Sequence, residues 1–361
     1  MNKKIQYRID SDSTDETPLD AFKHQPTTLA QVTMGISINT NIAATKAGFN
    51  LASNQDAMNR SLNRLSSGNR IVQPADDAGG LAVSMKLSST IKNLRAVTYN
   101  VSNAISFLQV QDGVIKSSAD IVSRMGELKA MHSDVTKSTT DKALYDQEFN
   151  DLQGQLYDLA QTKFNGIRVF GDYDGSDTLR AGLVFGTNDT DDDVTLNVYT
   201  SENGTSGGIV EVKQTLILSA ITLTQDATAN TYTNGSVWDK TNTGAGAGNG
   251  EIDGTFSLAH DDSSNSNLSL DNLQAGYFVQ ALQNLASARA TNGGTVRALQ
   301  YNLGNLELQI TNLKAANGRI MDVDIARETS NLARQRVLVQ SSASMTAQAN
   351  AANDVALMLI Q

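Results

Sequence analysis

The residues of this sequence that could do chemistry are few and scattered. The 361-residue chain has no Cys and only three His, at positions 24, 132 and 260. The lack of Cys excludes disulfides, thiolate metal sites and cysteine nucleophiles, and the His spacing fits no zinc motif. The carboxylate pair Asp76-Asp77 has no basic or metal-binding partner at a useful spacing, so it is interpreted as a helix start rather than an acid–base pair. We predict no catalytic residue, cofactor or metal.

The net charge of −10 is concentrated in the middle of the chain. Residues 171–270 hold 15 acidic and 3 basic residues, together with 13 of the 27 Gly. Nucleic-acid binding needs a basic face that replaces counterions, so a nucleic-acid partner is not expected. No apolar run approaches the roughly 18 residues of a membrane span. The first 22 residues also lack the apolar region of a secretory signal.

Two long heptad patterns predict the helices that organise the chain. From Leu87 to Val122, nine of eleven positions that alternate by 4 and 3 are apolar, which is typical of a packed helix. A second pattern runs from Val296 to Ile320, and a shorter one precedes an Asn-Gly turn at 165–166. Each stripe is one-sided and needs a partner. The polar seam residues are interpreted as register devices or as a seam edge open to neighbouring subunits; they are Thr98, Asp112 and Asn317.

These patterns predict a mainly α fold: long antiparallel heptad helices from both ends form a rod, with a β-rich or loop insertion between them. Residues 1–33 are predicted to be a disordered extension, and Met34 is an alternative start. The apolar stripes of the terminal helices are thin, so we expect these helices to finish folding only against other subunits. The predicted boundaries are 34–76 and 323–361 for the terminal helices, 77–180 and 268–322 for a helical core with β-hairpins, and 181–267 for a variable, surface-exposed insertion.

Several motifs at both ends resemble those of one known family. The run LNRLSSGNR at 62–70, followed by PADDAGGLA at 74–82, resembles the N-terminal signature of bacterial flagellins. GRIMDVDIA at 318–326 is similar to the corresponding C-terminal motif. The resemblance covers about 34–200 and 270–361.

The resemblance implies a structural protein, not an enzyme, that self-assembles into the helical flagellar filament for swimming. The terminal helices would form an inner tube, and the subunit-contact candidates are Leu62, Leu65, Leu357, Leu359 and Ile360. The implied partners are further copies of the chain, an export chaperone at the C-terminus, and the filament cap and hook-junction proteins. The chain would be secreted into the flagellum through the type III apparatus without a cleaved signal peptide.

Two alternatives share parts of this pattern. The hook–filament junction protein of the same superfamily has similar ends, but Ala78-Gly79-Gly80 favours flagellin. A filament subunit with an adhesive head is the other alternative. Some flagellins also carry a helix surface bound by an innate immune receptor, which corresponds here to Arg124, Glu127 and Leu128. Gly126 replaces an Arg of that pattern, so a solvated face or an inter-subunit contact is the competing interpretation.

Overall fold

The computed structural model describes residues 41–172, 185–186, 195–226, 231–234, 254–260 and 268–358. The predicted extension at 1–33, the alternative start at Met34, and Leu359 and Ile360 lie outside these residues. The chain divides into two compact units. The smaller unit joins the residues up to Ser61 to those from Ser330 onward, and the larger unit is Leu62–Thr329. The division falls inside the terminal helices, so Leu62 and Leu65 belong to the larger unit, while the predicted boundaries of the terminal helices, 34–76 and 323–361, stay a prediction.

Helices dominate the described residues, and the predicted mainly α fold class is confirmed. The seven short strands are all antiparallel and lie between the long helices. The helices are α1 (Ile42–Ser67), α2 (Ala78–His132), α3 (Thr139–Ala160), α4 (Ile217–Ala220), α5 (Ala275–Met321) and α6 (Ile325–Met358). The strands are β1 (Lys163–Phe164), β2 (Ile167–Arg168), β3 (Thr195–Tyr199), β4 (Ile209–Lys213), β5 (Thr222–Asp226), β6 (Thr231–Asn234) and β7 (Gly254–Ser257).

Helix α2 begins where the carboxylate pair predicts a helix start. The Asp77 side chain accepts a hydrogen bond from the backbone N–H of Gly80 at 2.8 Å, which satisfies one of the free donors of the first turn. Asp76 instead closes the preceding loop by accepting from the N–H groups of Val72 and Gln73. These bonds lower the pKa of Asp76. Both carboxylates therefore have structural partners.

Helices α2 and α5 pack antiparallel and form the centre of the larger unit. Their register is fixed by side-chain pairs across the seam. The Arg289 guanidinium donates to both oxygens of Asp112 at 2.9 and 3.0 Å, and the Ser84 hydroxyl donates to Asn317 at 2.7 Å. The register interpretation is thus confirmed for Asp112 and Asn317. It is wrong for Thr98, whose hydroxyl donates to a carbonyl of its own helix.

The strands arise from turns and alternating apolar residues. Asn165 and Gly166, with φ of 50° and 82°, form the tight turn that the Asn-Gly pair predicts between β1 and β2. Strands β3 and β4 pair in register from Thr195–Lys213 to Tyr199–Ile209, and this hairpin contacts α2 and α5. Strand β5 lies between β6 and β7 in a three-stranded sheet.

The prediction of a surface-exposed insertion at 181–267 is wrong for much of its described part. Ile217, Leu218, Ile221, Leu223 and Leu258 are almost completely buried and belong to the same apolar core as α2 and α5. Apolar residues of β3, β4 and β7 join this core. Sequence reasoning missed the burial of these residues, because they occur in a few short apolar runs next to a low-complexity Gly-rich stretch.

The smaller unit is a pair of helical segments with little apolar contact. The Asn41 side chain caps α1 by accepting from Ala44 N–H and also donates to the Ala349 carbonyl. The Asn54 amide donates to the Ser342 hydroxyl at 3.4 Å. These contacts make the segments antiparallel. Among the described side chains of this unit only Ser61 is buried, so polar contacts and small residues hold the pair together.

Candidate functional site

For a chain without a catalytic constellation among its motifs, the candidate sites are surfaces that contact other proteins. No group of three or more His, Asp or Glu side chains in the described ranges is arranged to hold a metal ion. None of the described helices is long and apolar enough to cross a membrane.

Leu62 and Leu65 lie on α1 next to a densely bonded loop. Leu62 is 39% exposed and Leu65 is half-buried. Between them in the sequence, Arg64 forms an ion pair with Asp76, and the guanidinium nitrogen lies 3.1 Å from the carboxylate oxygen. This ion pair links the last turns of α1, which carry the two leucines, to the loop that precedes α2.

The loop that carries the SSGNR motif joins the two halves of the sequence. Gly68, with φ of 72°, ends α1, and its carbonyl accepts from the N–H of Val323. The guanidinium of Arg70 donates to the Ile320 carbonyl at 2.8 and 3.1 Å, and Asn69 forms a β-bridge with Asp322. This loop is thus bound to the turn between α5 and α6. The N-terminal and C-terminal motifs quoted from the sequence meet at this point.

The C-terminal candidates are described only in part. Leu357 lies in the last turns of α6, but its side chain is outside the described residues, as are Leu359 and Ile360. The neighbouring Met358 is 81% exposed. The assignment of these residues to subunit contacts stays a prediction.

The three candidate receptor residues do not share one surface. The Arg124 guanidinium is held by Glu148 of α3 at 2.8 Å and by Glu127 at 3.1 Å, and both pairs are exposed. These hydrogen bonds raise the pKa of Arg124. Leu128, by contrast, is fully buried in the core. A Cβ at Gly126 would lie 3.5 Å from the Phe278 side chain, so Gly126 faces α5. A partner at this surface could reach Arg124 and Glu127 but not Leu128.

A group of polar residues that sequence reasoning missed binds the middle segment to the helices. The Gln111 amide of α2 donates to the carbonyls of Val169 and Lys213. The Tyr277 hydroxyl of α5 donates to the Phe256 carbonyl and accepts from Leu223 N–H. A polar residue within an apolar helical stripe is the signal that could have indicated such contacts. It does not identify the partner.

Asp172 is the most strongly perturbed carboxyl in the described part of the chain. It is 6% exposed and accepts hydrogen bonds from the N–H groups of Leu218 and Ser219 at 3.1 and 3.3 Å. Burial raises its pKa to about 7, although the backbone donors act in the opposite direction. It connects the end of the β1–β2 segment to α4.

The point where the returning chain enters α5 contains a second polar cluster, in which only His132 is fully buried. Asp146 of α3 accepts from Leu270 N–H at 2.9 Å, and the Lys129 ammonium donates to the Leu270 carbonyl at 2.7 Å. Burial lowers the pKa of Lys129. The ring of His132 lies between Asp146 and Asp271, at 3.6 and 3.5 Å. The ring nitrogens point to opposite carboxylates, which suits a structural contact between α2, α3 and the 270–272 turn.

Comparison with known proteins gives matches at both ends of the chain. A family model described as the bacterial flagellin N-terminal helical region matches residues 38–174, and one for the C-terminal helical region matches residues 276–360. The flagellar filament 33 kDa core protein of Treponema phagedenis is 27% identical over 329 residues, covering 90% of this chain and 99% of that protein. Flagellin of Bacillus subtilis (strain 168) is 29% identical over 338 residues, with coverage of 90% and 99%. The crystal structure of Bacillus cereus flagellin is 20% identical with a TM-score of 0.38, covering 61% of this chain and 94% of that one.

Proposed function

The chain belongs to the bacterial flagellin family, and from this membership we propose that its terminal helices complete their packing only when copies assemble. It is a structural subunit of the extracellular flagellar filament and not an enzyme, and copies of the chain polymerise with one another to form that filament. In the proposal, the two helical segments of the smaller unit form the inner tube of the filament.

The observation that carries the proposal is that no apolar side chain is buried among the described residues of the smaller unit. Several of its large apolar residues are exposed to water, Ile42 and Phe49 by 74%, Val337 by 66% and Met345 by 62%, whereas Leu51, Met58, Leu332 and Val339 are half-buried. Exposed apolar side chains at this density are typical of a protein–protein contact. Most helix stability in proteins comes from packing of an apolar face rather than from the helix itself. Neighbouring copies would supply that packing.

The proposed contact residues lie close to the sequence motifs at the two ends of the chain. Leu62 and Leu65 lie in the last turns of α1, where Leu62 is exposed and Leu65 is half-buried. At the other end the sequence VALMLIQ places Leu357, Leu359 and Ile360 close together. An apolar chain end of this kind is costly in water. We assign these five residues to subunit contacts.

The same argument supports further partners. Before assembly, the apolar C-terminus needs a cover, which an export chaperone would provide. A helical polymer built from head-to-tail contacts leaves one unsatisfied surface at each end. A cap protein and a hook-junction protein would bind these two surfaces. We propose export through the flagellar type III apparatus without a cleaved signal, which the weak packing of the terminal segments favours because they unfold at low cost.

Limited proteolysis with circular dichroism tests the proposal on the full chain. Lys46, Arg60, Arg334 and Arg336 are exposed tryptic sites in the smaller unit, whereas Arg95 is an exposed site on the well-packed α2. In the dissociated monomer we expect fast cleavage at the first four and slow cleavage at Arg95. After seeded polymerisation, all sites should be protected and the helical signal should rise. Equal resistance of the two units in the monomer, with no gain of helical signal, would contradict the proposal.

A further inference from the structure

The middle of the α2–α5 pair has an exposed surface with a single charged side chain, Arg297. Residues 96–111 of α2 contain no charged side chain, and Arg297 is the only charged residue of α5 between 290 and 306. The two stretches lie side by side, because Asn292 donates to the Leu108 carbonyl. We call them the uncharged belt. Its exposed positions on α2 are Ala96, Tyr99, Asn100, Ser102, Asn103, Ser106 and Gln109.

Depletion of charge is the compositional mark of an interface core, since exposed helix faces normally carry Lys, Glu, Asp and Arg. The chain itself provides the contrast. The exposed face of α2 beyond the belt carries Lys116, Asp120, Arg124 and Glu127 within three to four turns. The same helix therefore has one solvated segment and one segment whose composition suits contact with another protein.

An apolar groove opens on one side of the belt. It has a volume of about 350 Å³ and lies between α2, the β1–β2 turn and the β3–β4 hairpin. The exposed side chain of Ile167, at 51%, stands at its edge, and Tyr99 of α2, at 71%, lies two turns from the groove residue Phe107. Its apolar lining is Ala104, Phe107, Phe164, Ile167, Leu196, Val198 and Val212.

An apolar ridge lies on the outward face of α5 within and just beyond the belt. Tyr301 and Leu308 are 74% and 60% exposed and stand seven residues apart, on one helix face. That face is opposite the one that buries Leu299 and Leu306. Gly304 lies between them, and a Cβ there would meet nothing within 4 Å. A glycine in a helix interior costs about 1 kcal/mol of helix stability relative to Ala, and no neighbour among the described residues requires a glycine here. In an assembly, Gly304 would let another chain approach α5 closely.

We propose that the ridge of one copy, Tyr301 and Leu308, inserts into the groove of a second copy of this chain. The inference rests on the proposed assembly into a filament and adds the surface of the larger unit that makes the contact. Groove and ridge are formed by different elements, the groove is mostly apolar and has no charged residue in its lining, and the two ridge side chains are apolar over most of their surface. A contact between two different patches is heterologous, and repeated heterologous contacts build open helical polymers rather than closed dimers. Each copy thus offers one ridge and one groove.

Because the chain contains no Cys, paired cysteines test this contact without background. Filaments of the double variant Ile167→Cys/Leu308→Cys, when oxidised, should give a ladder of disulfide-linked multimers. Filaments of either single variant should give none, and a mixture of the two singles should give dimers only. Dilute monomer of the double variant should form no disulfide. Absence of the ladder, dimers from a single variant, or an internal disulfide in the monomer would overturn the proposal.

A charge substitution with a matched control completes the test. Leu308→Asp should raise the concentration needed for seeded polymerisation by at least about tenfold, as for a central interface residue. Leu144 of α3 is an exposed leucine, at 62%, outside the belt, and Leu144→Asp should polymerise like the parent. Polymerisation of Leu308→Asp at the parent's concentration overturns the ridge. Failure of the unmodified protein to polymerise would instead contradict the proposed function.

Discussion

The two units of the chain are both built from paired helices, yet they bury their side chains very differently. In the larger unit, Val101, Ile115 and Val122 of α2 and Leu299 of α5 are fully buried. In the smaller unit, no described apolar side chain is buried. Because burial of apolar surface is the main favourable term in folding, the described residues of the larger unit have the greater source of stability within one chain. This contrast is the basis of the proposal that the smaller unit completes its packing against other copies.

The largest loss of monomer stability is expected for a charge placed in the α2–α5 seam. Leu306→Asp places a carboxylate at a position that is 2% exposed. An unpaired buried charge costs several kcal/mol, so we expect the monomer to lose its cooperative thermal transition. Asn305→Asp, at an exposed neighbouring position, should melt like the parent. Parent-like melting of Leu306→Asp would mean that the seam does not stabilise the larger unit.

A second prediction separates the buried part of the insertion from its exposed part. Ile221→Ala removes a fully buried side chain and should reduce the free energy of unfolding by about 2–5 kcal/mol. Ile209→Ala, at a position 42% exposed in β4, should change it by less than about 1 kcal/mol. Urea denaturation of the monomer measures both. Equal effects would show that the insertion is peripheral, as the sequence alone predicts.

The long helices and the local turns are predictable from the sequence, whereas the burial of part of the insertion is not. The heptad spacing in α2 and α5 predicts both helices, because a one-sided stripe repeated over many turns has few alternative structures. Asp77 at a helix start and the Asn-Gly turn are equally local, and both are confirmed. The seam position of Asp112 predicts that it has a partner across the seam. It does not predict that the partner is Arg289, because that depends on the register between distant segments.

The buried segments of the insertion could not be predicted in the same way. Ile217 to Leu223 is a short apolar run beside Gly-rich sequence, and such a run does not reveal whether a distant helix covers it. The Tyr277 hydroxyl accepts from Leu223, 54 residues away, and the Asp172 carboxylate accepts from Leu218, 46 residues away. Non-local contacts of this kind leave no periodic signal. The candidate site was predictable to the same extent: Arg124 and Glu127 lie on the surface, but the burial of Leu128 required the position of α5.

A third prediction concerns pH and depends on Asp172. Its pKa is raised to about 7 in the folded chain, above the ordinary value of 3.8. The folded state therefore binds the proton more tightly, so the contribution of this group is fully present below about pH 4 and is lost as pH rises through 7. The Asp112 carboxylate acts oppositely, because its hydrogen bond to Arg289 lowers its pKa and its contribution is lost in acid.

Thermal unfolding of the monomer at pH 5.5 and pH 8, values chosen on either side of about 7, separates this effect. The parent should lose more stability between the two than Asp172→Asn, which keeps the shape and an acceptor oxygen but has no titrating proton. Each unit of pKa shift corresponds to about 1.4 kcal/mol. The same dependence in both proteins would assign the effect to other groups.

The smallest effect on the monomer is expected at the C-terminal end, where the effect on assembly should be large. Leu357 lies in the last turns of α6, next to the 81%-exposed Met358. In the proposal Leu357 contributes to contacts between copies rather than to folding, so Leu357→Asp should shift the melting temperature of the monomer by less than about 2 °C. It should nevertheless prevent seeded polymerisation, because a carboxylate in an apolar contact between copies is costly to bury. Gln340→Asp, an exposed change in the same helix away from this end, is the control for added charge. Normal polymerisation of Leu357→Asp would remove the chain end from the contacts, and a destabilised monomer would show that α6 is packed within its own chain.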